Sequence, residues 1–274
     1  MPRAAKAEST PKSAKDRKPP LRVQQASRFL AKKPEAGNEI NIDEALDKLF
    51  TSIKPKASHN ELETEEVMAY CEALDVNMGS YEYFVLADIV QAQSFGQITR
   101  QGFVKGWKQV YEDTGKRVTP DMAAHSKYVR GQIDRLRTDA ALFGRVYRTA
   151  FTTGKELGRR ELGMTEALAY WEELFKPAMG GWKTERVDWL GAWTAYLREK
   201  FGTETDGDWE YSRSVSRDLW NQTRLFAAKT MEDETLGFWS EEQAWPGLID
   251  EFVVWCREKG KVPAQNGEAM EVEE

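Results

Sequence analysis

Histidine and cysteine are almost missing from these 274 residues, with His59, His125, Cys71 and Cys256 the full set. Two thiols cannot make a disulfide framework or a four-thiolate zinc site, and such sparse cysteine reads as residence inside the cell, in the nucleus, the cytoplasm or both. Only the two imidazoles could serve as near-neutral bases, and neither has a nucleophile beside it in sequence. No Gly-rich phosphate loop, His-Glu-x-x-His or Cys-x-x-Cys occurs. No apolar stretch approaches bilayer length, and the first residues lack the apolar core of a signal peptide. Alternating Val/Ile/Thr runs bounded by turn residues are also missing. These absences lead us to expect a helical protein with no cofactor, no metal, no membrane and no catalytic chemistry of its own.

What is present is acidic and aromatic. Asp and Glu number 45 against 39 Lys and Arg, for a net charge of -6 and a pI near 5.3. That balance argues against nucleic-acid binding, which needs a basic face, and favours a basic protein partner. Hydrophobic residues make up 41% of the chain and ten are tryptophan, enough for a substantial core. Residues 1–38 form a basic tail in which Lys15, Arg17, Lys18, Pro19 and Pro20 crowd together. Such a segment cannot offset its ordering entropy and is read as a solvated tail, with a nuclear-import signal or electrostatic arm as alternatives. Residues 261–274 end in Glu271-Val272-Glu273-Glu274 and read as a disordered acidic tail.

Between the tails, residues 39–260, apolar positions recur at helical spacing. Thr64 is placed to cap a helix with the stripe Val67, Met68, Cys71 and Leu74, and Thr119-Pro120-Asp121 supplies cap, first-turn proline and acid for another. Tyr83 to Val90 is apolar nearly all round, which predicts a helix buried on most sides at the centre of the N-terminal half, residues 39–115. In the C-terminal half, residues 116–260, Met164, Ala167, Leu168, Trp171, Leu174 and Phe175 form one stripe, and Leu190, Trp193, Leu197 and Phe201 another. Cys71 and Cys256 both fall on such stripes, where thiols are usually inert packing.

The N-terminal half invites comparison with calcium-binding EF-hands, whose loops carry oxygen ligands at positions 1, 3, 5 and 12 and glycine at 6. A loop starting at Gln91 puts Gly96 at the turn and Ile98 at the following hydrophobic position, but Gln91, Gln93, Phe95 and Gly102 stand where ligands belong. The loop from Asp75 has Asn77, then Ser80 at the glycine position and Leu86 at the end. The expectation is EF-hand-like packing without calcium.

Two C-terminal helix starts carry the functional signal. Ser216 caps a helix with the stripe Leu219, Trp220, Thr223, Phe226 and Ala227, which leaves Asp218 in the first turn and off the core. Pro246 sets the first turn of the last helix, whose stripe is Trp245, Leu248, Ile249, Phe252 and Cys256, while Gly247, Asp250 and Val254 share another face. A first-turn aspartate interacts favourably with the helix dipole by about 0.3 to 1 kcal/mol without binding anything. Between the two helices Phe238-Trp239 sits among acidic residues, equally readable as an interface or a solvated loop.

Asp218-Leu219-Trp220-Asn221, followed by Ala244-Trp245-Pro246-Gly247-Leu248-Ile249-Asp250-Glu251-Phe252, resembles the end of the potentiating-neddylation domain of the defective-in-cullin-neddylation family. Further matching segments, in the same order, are Phe95 to Phe103, Tyr147 to Lys155 and Ala167 to Trp171, so the resemblance covers about residues 40–258. It implies an all-α multi-helix domain with an EF-hand-like N-terminal half, acting as a scaffold that helps pass a ubiquitin-like modifier from its conjugating enzyme to a cullin lysine. It further implies a cullin-binding trio at Asp218, Ala244 and Asp250. A second implied site is an apolar pocket for the conjugating enzyme's acetylated N-terminal methionine, lined by Val67, Cys71, Tyr83, Leu86, Ala87, Val90 and Ile98, for each of which core packing is the plainer reading. The partners implied are the cullin C-terminal region, the conjugating enzyme and, indirectly, the RING subunit of cullin ligases. Thr153 and Glu173 depart from the apolar groups usual in relatives, so this pocket is expected to be shallower, more polar or less dependent on acetylation. Some relatives carry a ubiquitin-associated domain ahead of this region; residues 1–38 read as too short and polar for it, so ubiquitin binding is not expected. The competing class is a degenerate EF-hand adaptor in another complex, or a calcium sensor.

Overall fold

Residues 41–53, 60–240, 242 and 244–263 are described by the computed structural model. The basic tail, His59 and residues 264–274 lie outside them, and with them the readings of both tails and the import signal. The described chain is dominated by α-helices, as the helical spacing predicts, and none is long and apolar enough to cross a membrane.

The first helices are α1 (Ile42–Ile53), α2 (Thr64–Ala73), α3 (Tyr81–Ile89) and α4 (Arg100–Asp113). Strand β1 (Glu61–Leu62) pairs antiparallel with β2 (Ile98–Thr99), placing Leu62 opposite Ile98. Next come α5 (Met122–Leu136) and α6 (Ala140–Gly154). The hydrophobic α3 is enclosed by α4, α5, α6 and α7 (Met164–Leu174), which is why Tyr83 to Ala87 needs no polar face. Where α4 crosses the end of α3, the helices touch backbone to backbone. A Cβ at Gly106 would stand 1.8 Å from the Ile89 carbonyl oxygen, so only glycine fits there. At the turn before β2, Gly96 has φ +71°, the left-handed conformation that glycine adopts freely.

The starts of α2 and α5 differ from the spacing-based expectation. The cap of α2 is Glu63, and Thr64 is the first helical residue; the Glu66 carboxylate, three residues on, accepts a 2.9 Å hydrogen bond from the Glu63 N–H, whereas three residues beyond Thr64 stands Val67, which has no acceptor to return. In α5 the cap is Asp121, accepting from the Ala124 N–H at 2.9 Å, while the Thr119 hydroxyl donates to Asp121. Met68, assigned to the α2 stripe, is 56% exposed; the buried face uses Tyr70 instead.

The C-terminal half is a lattice of aromatic rings. Strand β3 (Leu162–Gly163) leads into α7 and pairs with β6 (Ser214–Val215). Beyond α7 come α8 (Trp189–Phe201), a hairpin of β4 (Gly202–Thr205) and β5 (Asp208–Tyr211), then α9 (Arg217–Glu232) and α10 (Gly247–Glu258). The hairpin was not expected from the sequence, because its strands are four residues long and almost wholly exposed. Its Asp206-Gly207 turn, both residues at positive φ, is the legible signal. Tyr147 joins α6, α7 and α9: its hydroxyl accepts from the Trp171 indole at 2.7 Å and donates to the Trp220 carbonyl at 2.9 Å. Trp220 returns its own indole N–H to the Tyr147 carbonyl at 2.8 Å and stacks on the Tyr147 ring. Every buried polar group in this knot is satisfied, so it fixes how α9 leaves the core.

Candidate cullin-binding face

Asp218 is held at the surface by what surrounds it in the chain. The β6–β3 pairing delivers the backbone to Ser216, whose hydroxyl accepts from the Leu219 N–H at 3.1 Å, and Trp220 enters the Tyr147 knot two residues on. Asp218 is left exposed, and its carboxylate has no hydrogen-bond or ion-pair partner among the described residues. It is therefore available to a partner at little desolvation cost.

Asp250 is held more firmly. Helix α10 begins at Gly247 with Pro246 in the cap position rather than in the expected first turn; it buries Leu248, Ile249, Phe252, Val253 and Cys256, and keeps Gly247, Asp250 and Val254 on its outer face as the spacing predicts. One carboxylate oxygen, Oδ1, accepts from the Trp239 indole N–H at 2.8 Å. Trp239 comes from a loop built by Asp233, whose Oδ1 accepts from the Thr235 N–H and hydroxyl and whose Oδ2 accepts from the Gly237 N–H. The Thr235 hydroxyl and these amides hold the Asp233 carboxyl below the usual carboxylate range. Leu236, buried at positive φ, closes the turn. The Phe238-Trp239 pair thus packs inward: Trp239 is 8% exposed and Phe238 lies 5.8 Å from the Phe226 ring. The Arg257 guanidinium covers the Trp239 ring at 4.8 Å.

Ala244 is exposed, directly before Trp245, whose ring lies 5.6 Å from Phe226. Phe226 also meets Phe252 at 6.0 Å, so the helices and loop bearing Asp218, Ala244 and Asp250 share one aromatic support. Beside Asp250 runs a cleft of about 440 Å³ with Trp239, Val254, Trp255 and Glu258 in its walls. Glu251, also there, accepts from the Tyr196 hydroxyl at 3.0 Å and pairs with Lys200, which lowers its carboxyl pKa. Sequence reasoning missed Trp239 as the residue that orients Asp250. Asp250 follows Trp239 by eleven positions and only Asp250 lies on a helix, so no periodicity connects the two.

The seven proposed pocket residues are all buried, none more than 2% exposed. Val67 and Cys71 come from α2, Tyr83, Leu86 and Ala87 from α3, Val90 from its end and Ile98 from β2. They close on one another and on the loop before β2, where the Tyr83 hydroxyl accepts from the Gly96 N–H at 2.9 Å. A cleft of about 870 Å³ on the adjoining surface touches this set at Cys71 and has Met68 and Glu72 in its walls. Burial pushes the Cys71 and Cys256 thiols up to about 12, consistent with inert packing. The two departures from the family pattern have structural partners. The Glu173 carboxylate accepts from the Tyr81 N–H at 3.0 Å, at the start of α3, and pairs with Lys176 at 2.7 Å. The Thr153 hydroxyl donates to its own helix, and its carbonyl accepts from the Phe95 N–H at 2.8 Å. His125 is buried against Trp107, and burial pushes its imidazole down to about 3, so it stays neutral at physiological pH.

A protein-family model described as cullin binding matches residues 121–255, the stretch that contains Asp218, Ala244 and Asp250. "Defective in cullin neddylation protein 1" of Pyricularia oryzae is 36% identical over 247 residues, covering 86% of this chain and 82% of that protein. The protein of the same name from Yarrowia lipolytica is 26% identical over 202 residues, 74% of each chain. "DCN1-like protein 3" of Xenopus laevis is 28% identical over 238 residues, 84% of this chain and 68% of that one. Identity of 36% across more than four fifths of a relative, together with a cullin-binding match ending on α10, means that this chain belongs to the defective-in-cullin-neddylation family.

Proposed function

We propose that this protein promotes cullin neddylation as a scaffold, binding the cullin C-terminal region through Asp218, Ala244 and Asp250 while holding the charged conjugating enzyme nearby. The observation that carries the reading is Asp250, a carboxylate oriented by Trp239 on the outer face of α10 within the cullin-binding match. Two aspartates free of the core accept charge-assisted hydrogen bonds from cullin Lys or Arg, and the small Ala244 lets the partner approach closely. Positioning is the whole contribution: bringing thioester and acceptor lysine together lowers the entropic barrier to aminolysis, while the reacting cysteine belongs to the conjugating enzyme. The RING subunit takes part only through the cullin. Action in the nucleus, the cytoplasm or both follows from where such partners meet.

The conjugating enzyme's acetylated methionine is assigned to Val67, Cys71, Tyr83, Leu86, Ala87, Val90 and Ile98. Because this set is closed, the reading requires it to open on binding, with the cleft at Cys71 and Met68 as the natural point of access. Calorimetry with acetylated and free N-terminal peptides tests this; equal affinities count against an acetyl-reading pocket. For the scaffold itself, the decisive measurement is a time course of cullin modification with and without the protein. Acceleration is expected, and no acceleration with any cognate cullin would leave the adaptor reading ahead. A large rise in melting temperature on adding calcium would instead favour a sensor.

A further inference from the structure

A second cleft, of about 270 Å³, lies on a different part of the molecule, between the end of α5, the start of α6 and the C-terminal half of α9. Phe143, Phe175 and Trp182 form its floor, with Phe175 packed 6.2 Å from Phe143 and 5.3 Å from Trp182. The Trp182 indole N–H is already satisfied by the Thr230 hydroxyl at 2.8 Å, so the floor presents an apolar face with no unmet donor. Met179 and Met231 stand in the walls, and Met231 is 42% exposed; methionine side chains adapt readily to an inserted group. The volume lies just below the usual range for small-molecule sites, about 300 to 1,000 Å³, and suits one large side chain better than a whole cofactor.

Charge decides what kind of chain would bring that side chain. Three cations near this cleft are paired, Arg135 with Asp139 at 2.6 Å, Lys176 with Glu173 at 2.7 Å and Lys229 with Glu232 at 3.1 Å. Arg137 and Arg224 line the cleft itself, and neither has a carboxylate partner among the described residues. The Arg224 guanidinium lies over Gly144 of α6 beside that of Arg148, the two within 3.7 Å of where a Cβ would stand on this glycine, so positive charge is concentrated at this edge. The flat fork of a guanidinium suits a carboxylate. Two guanidiniums without carboxylate partners thus stand at the rim of an apolar slot and give it a positive edge. Along α9, Arg224 lies about 9 Å from Asp218 and turned about 120° from it, and Ala227 and Met231 lie about 14 and 20 Å away, so the cleft occupies a different face from the cullin-binding one.

We propose that this cleft is a docking site for an acidic peptide segment carrying one large apolar side chain, the side chain seated on Phe143, Phe175 and Trp182 and flanking carboxylates paired with Arg137 and Arg224. The site is basic and apolar where the cullin face is acidic, so it selects a partner of opposite character and both can be occupied together. The test uses the full chain and a fluorescein-labelled hexapeptide of acidic residues around one phenylalanine, followed by anisotropy. Saturable binding is expected, weakened at least tenfold by Arg137→Glu with Arg224→Glu, at least tenfold by replacing the peptide's phenylalanine with alanine, and markedly by raised salt. Circular dichroism and cullin binding by the double variant, both expected to match the parent protein, show that it is folded. Equal binding by parent and double variant overturns the proposal, as does equal binding of a lysine-for-glutamate peptide or no saturation at millimolar concentration. Removal of residues 264–274 is the last arm: unchanged affinity supports a separate partner. A tenfold gain would show that the chain's own acidic end occupies the cleft and would overturn it.

Discussion

The Trp239 indole N–H donates to Oδ1 of Asp250 at 2.8 Å, and this hydrogen bond fixes which way a surface carboxylate faces. Trp239→Phe keeps the buried ring and removes only the donor. A hydrogen bond to a charged group is worth about 1.5 to 3 kcal/mol where it is fully realised. On a half-buried face we expect several-fold weaker binding to the cullin C-terminal region by calorimetry, with the fold intact. Unchanged affinity would mean that Trp239 does not orient Asp250 for binding.

Replacing the carboxylates tests the face directly. Asp250→Lys, or Asp218→Ala together with Asp250→Ala, is expected to abolish cullin capture in a pull-down. Asp218 costs only its helix-dipole contribution, about 0.3 to 1 kcal/mol, whereas loss of Asp250 also leaves the buried Trp239 indole N–H without its acceptor, about 1 to 3 kcal/mol more, so circular dichroism should accompany the pull-down. A folded double mutant that still captures cullin would sink the assignment.

Both aspartates were legible in the sequence because amphipathic helices sort residues by face, and the stripes beginning at Leu219 and Leu248 left Asp218 and Asp250 out. The same logic identified α3 as an interior helix. It failed where local competition decided the outcome. Asp121 displaced Thr119 as cap of α5 because a carboxylate accepts both the Ala124 N–H and the Thr119 hydroxyl. The β4–β5 hairpin escaped because exposed four-residue strands leave no alternating apolar pattern. The link between Trp239 and Asp250 depends on a turn stabilised by Asp233, which no period announces.

Glu173 shows how a departure from a family pattern acquires a new role. Its carboxylate accepts from Tyr81 at the start of α3 and pairs with Lys176. Glu173→Leu restores an apolar group at the cost of that acceptor. Loss of a helix-terminal acceptor costs about 0.5 to 2 kcal/mol, so a lower urea midpoint is expected. Binding of the acetylated conjugating-enzyme peptide should tighten. A variant that is both unchanged in stability and unchanged in peptide affinity would remove Glu173 from either role.

Stability should respond to pH through His125. Burial against Trp107, Tyr70 and Phe103 pushes its pKa from 6.5 down to about 3. Between those values the unfolded chain binds a proton that the native chain refuses. Stability from this group is therefore full above about pH 6.5 and declines as pH falls, by up to about 1.4 kcal/mol per unit. Asp121, held low by the Thr119 hydroxyl and the Ala124 N–H, loses its contribution only at lower pH. Urea titrations of His125→Phe from pH 6.5 to 4.5 should give a flatter profile than the parent. An equally steep profile would place the pH dependence elsewhere.

Two helical glycines make opposite predictions from the same substitution. In α4, a Cβ on Gly106 would meet the Ile89 carbonyl oxygen at 1.8 Å and the Val90 Cα at 3.2 Å. Backbone atoms cannot swing aside, so Gly106→Ala must push α4 away from α3, the helix on which the N-terminal half is packed. Overpacking of this kind costs about 1 to 3 kcal/mol, and more where the backbone has to move. In α5, nothing lies within 4 Å of a Cβ on Gly131, and its φ is not in the left-handed region. Gly131→Ala should therefore gain the helix-propensity difference, about 1 kcal/mol. Thermal melts of the two single variants are expected to move in opposite directions. A Gly106→Ala protein as stable as the parent would show that the α3–α4 crossing is looser than backbone contact demands.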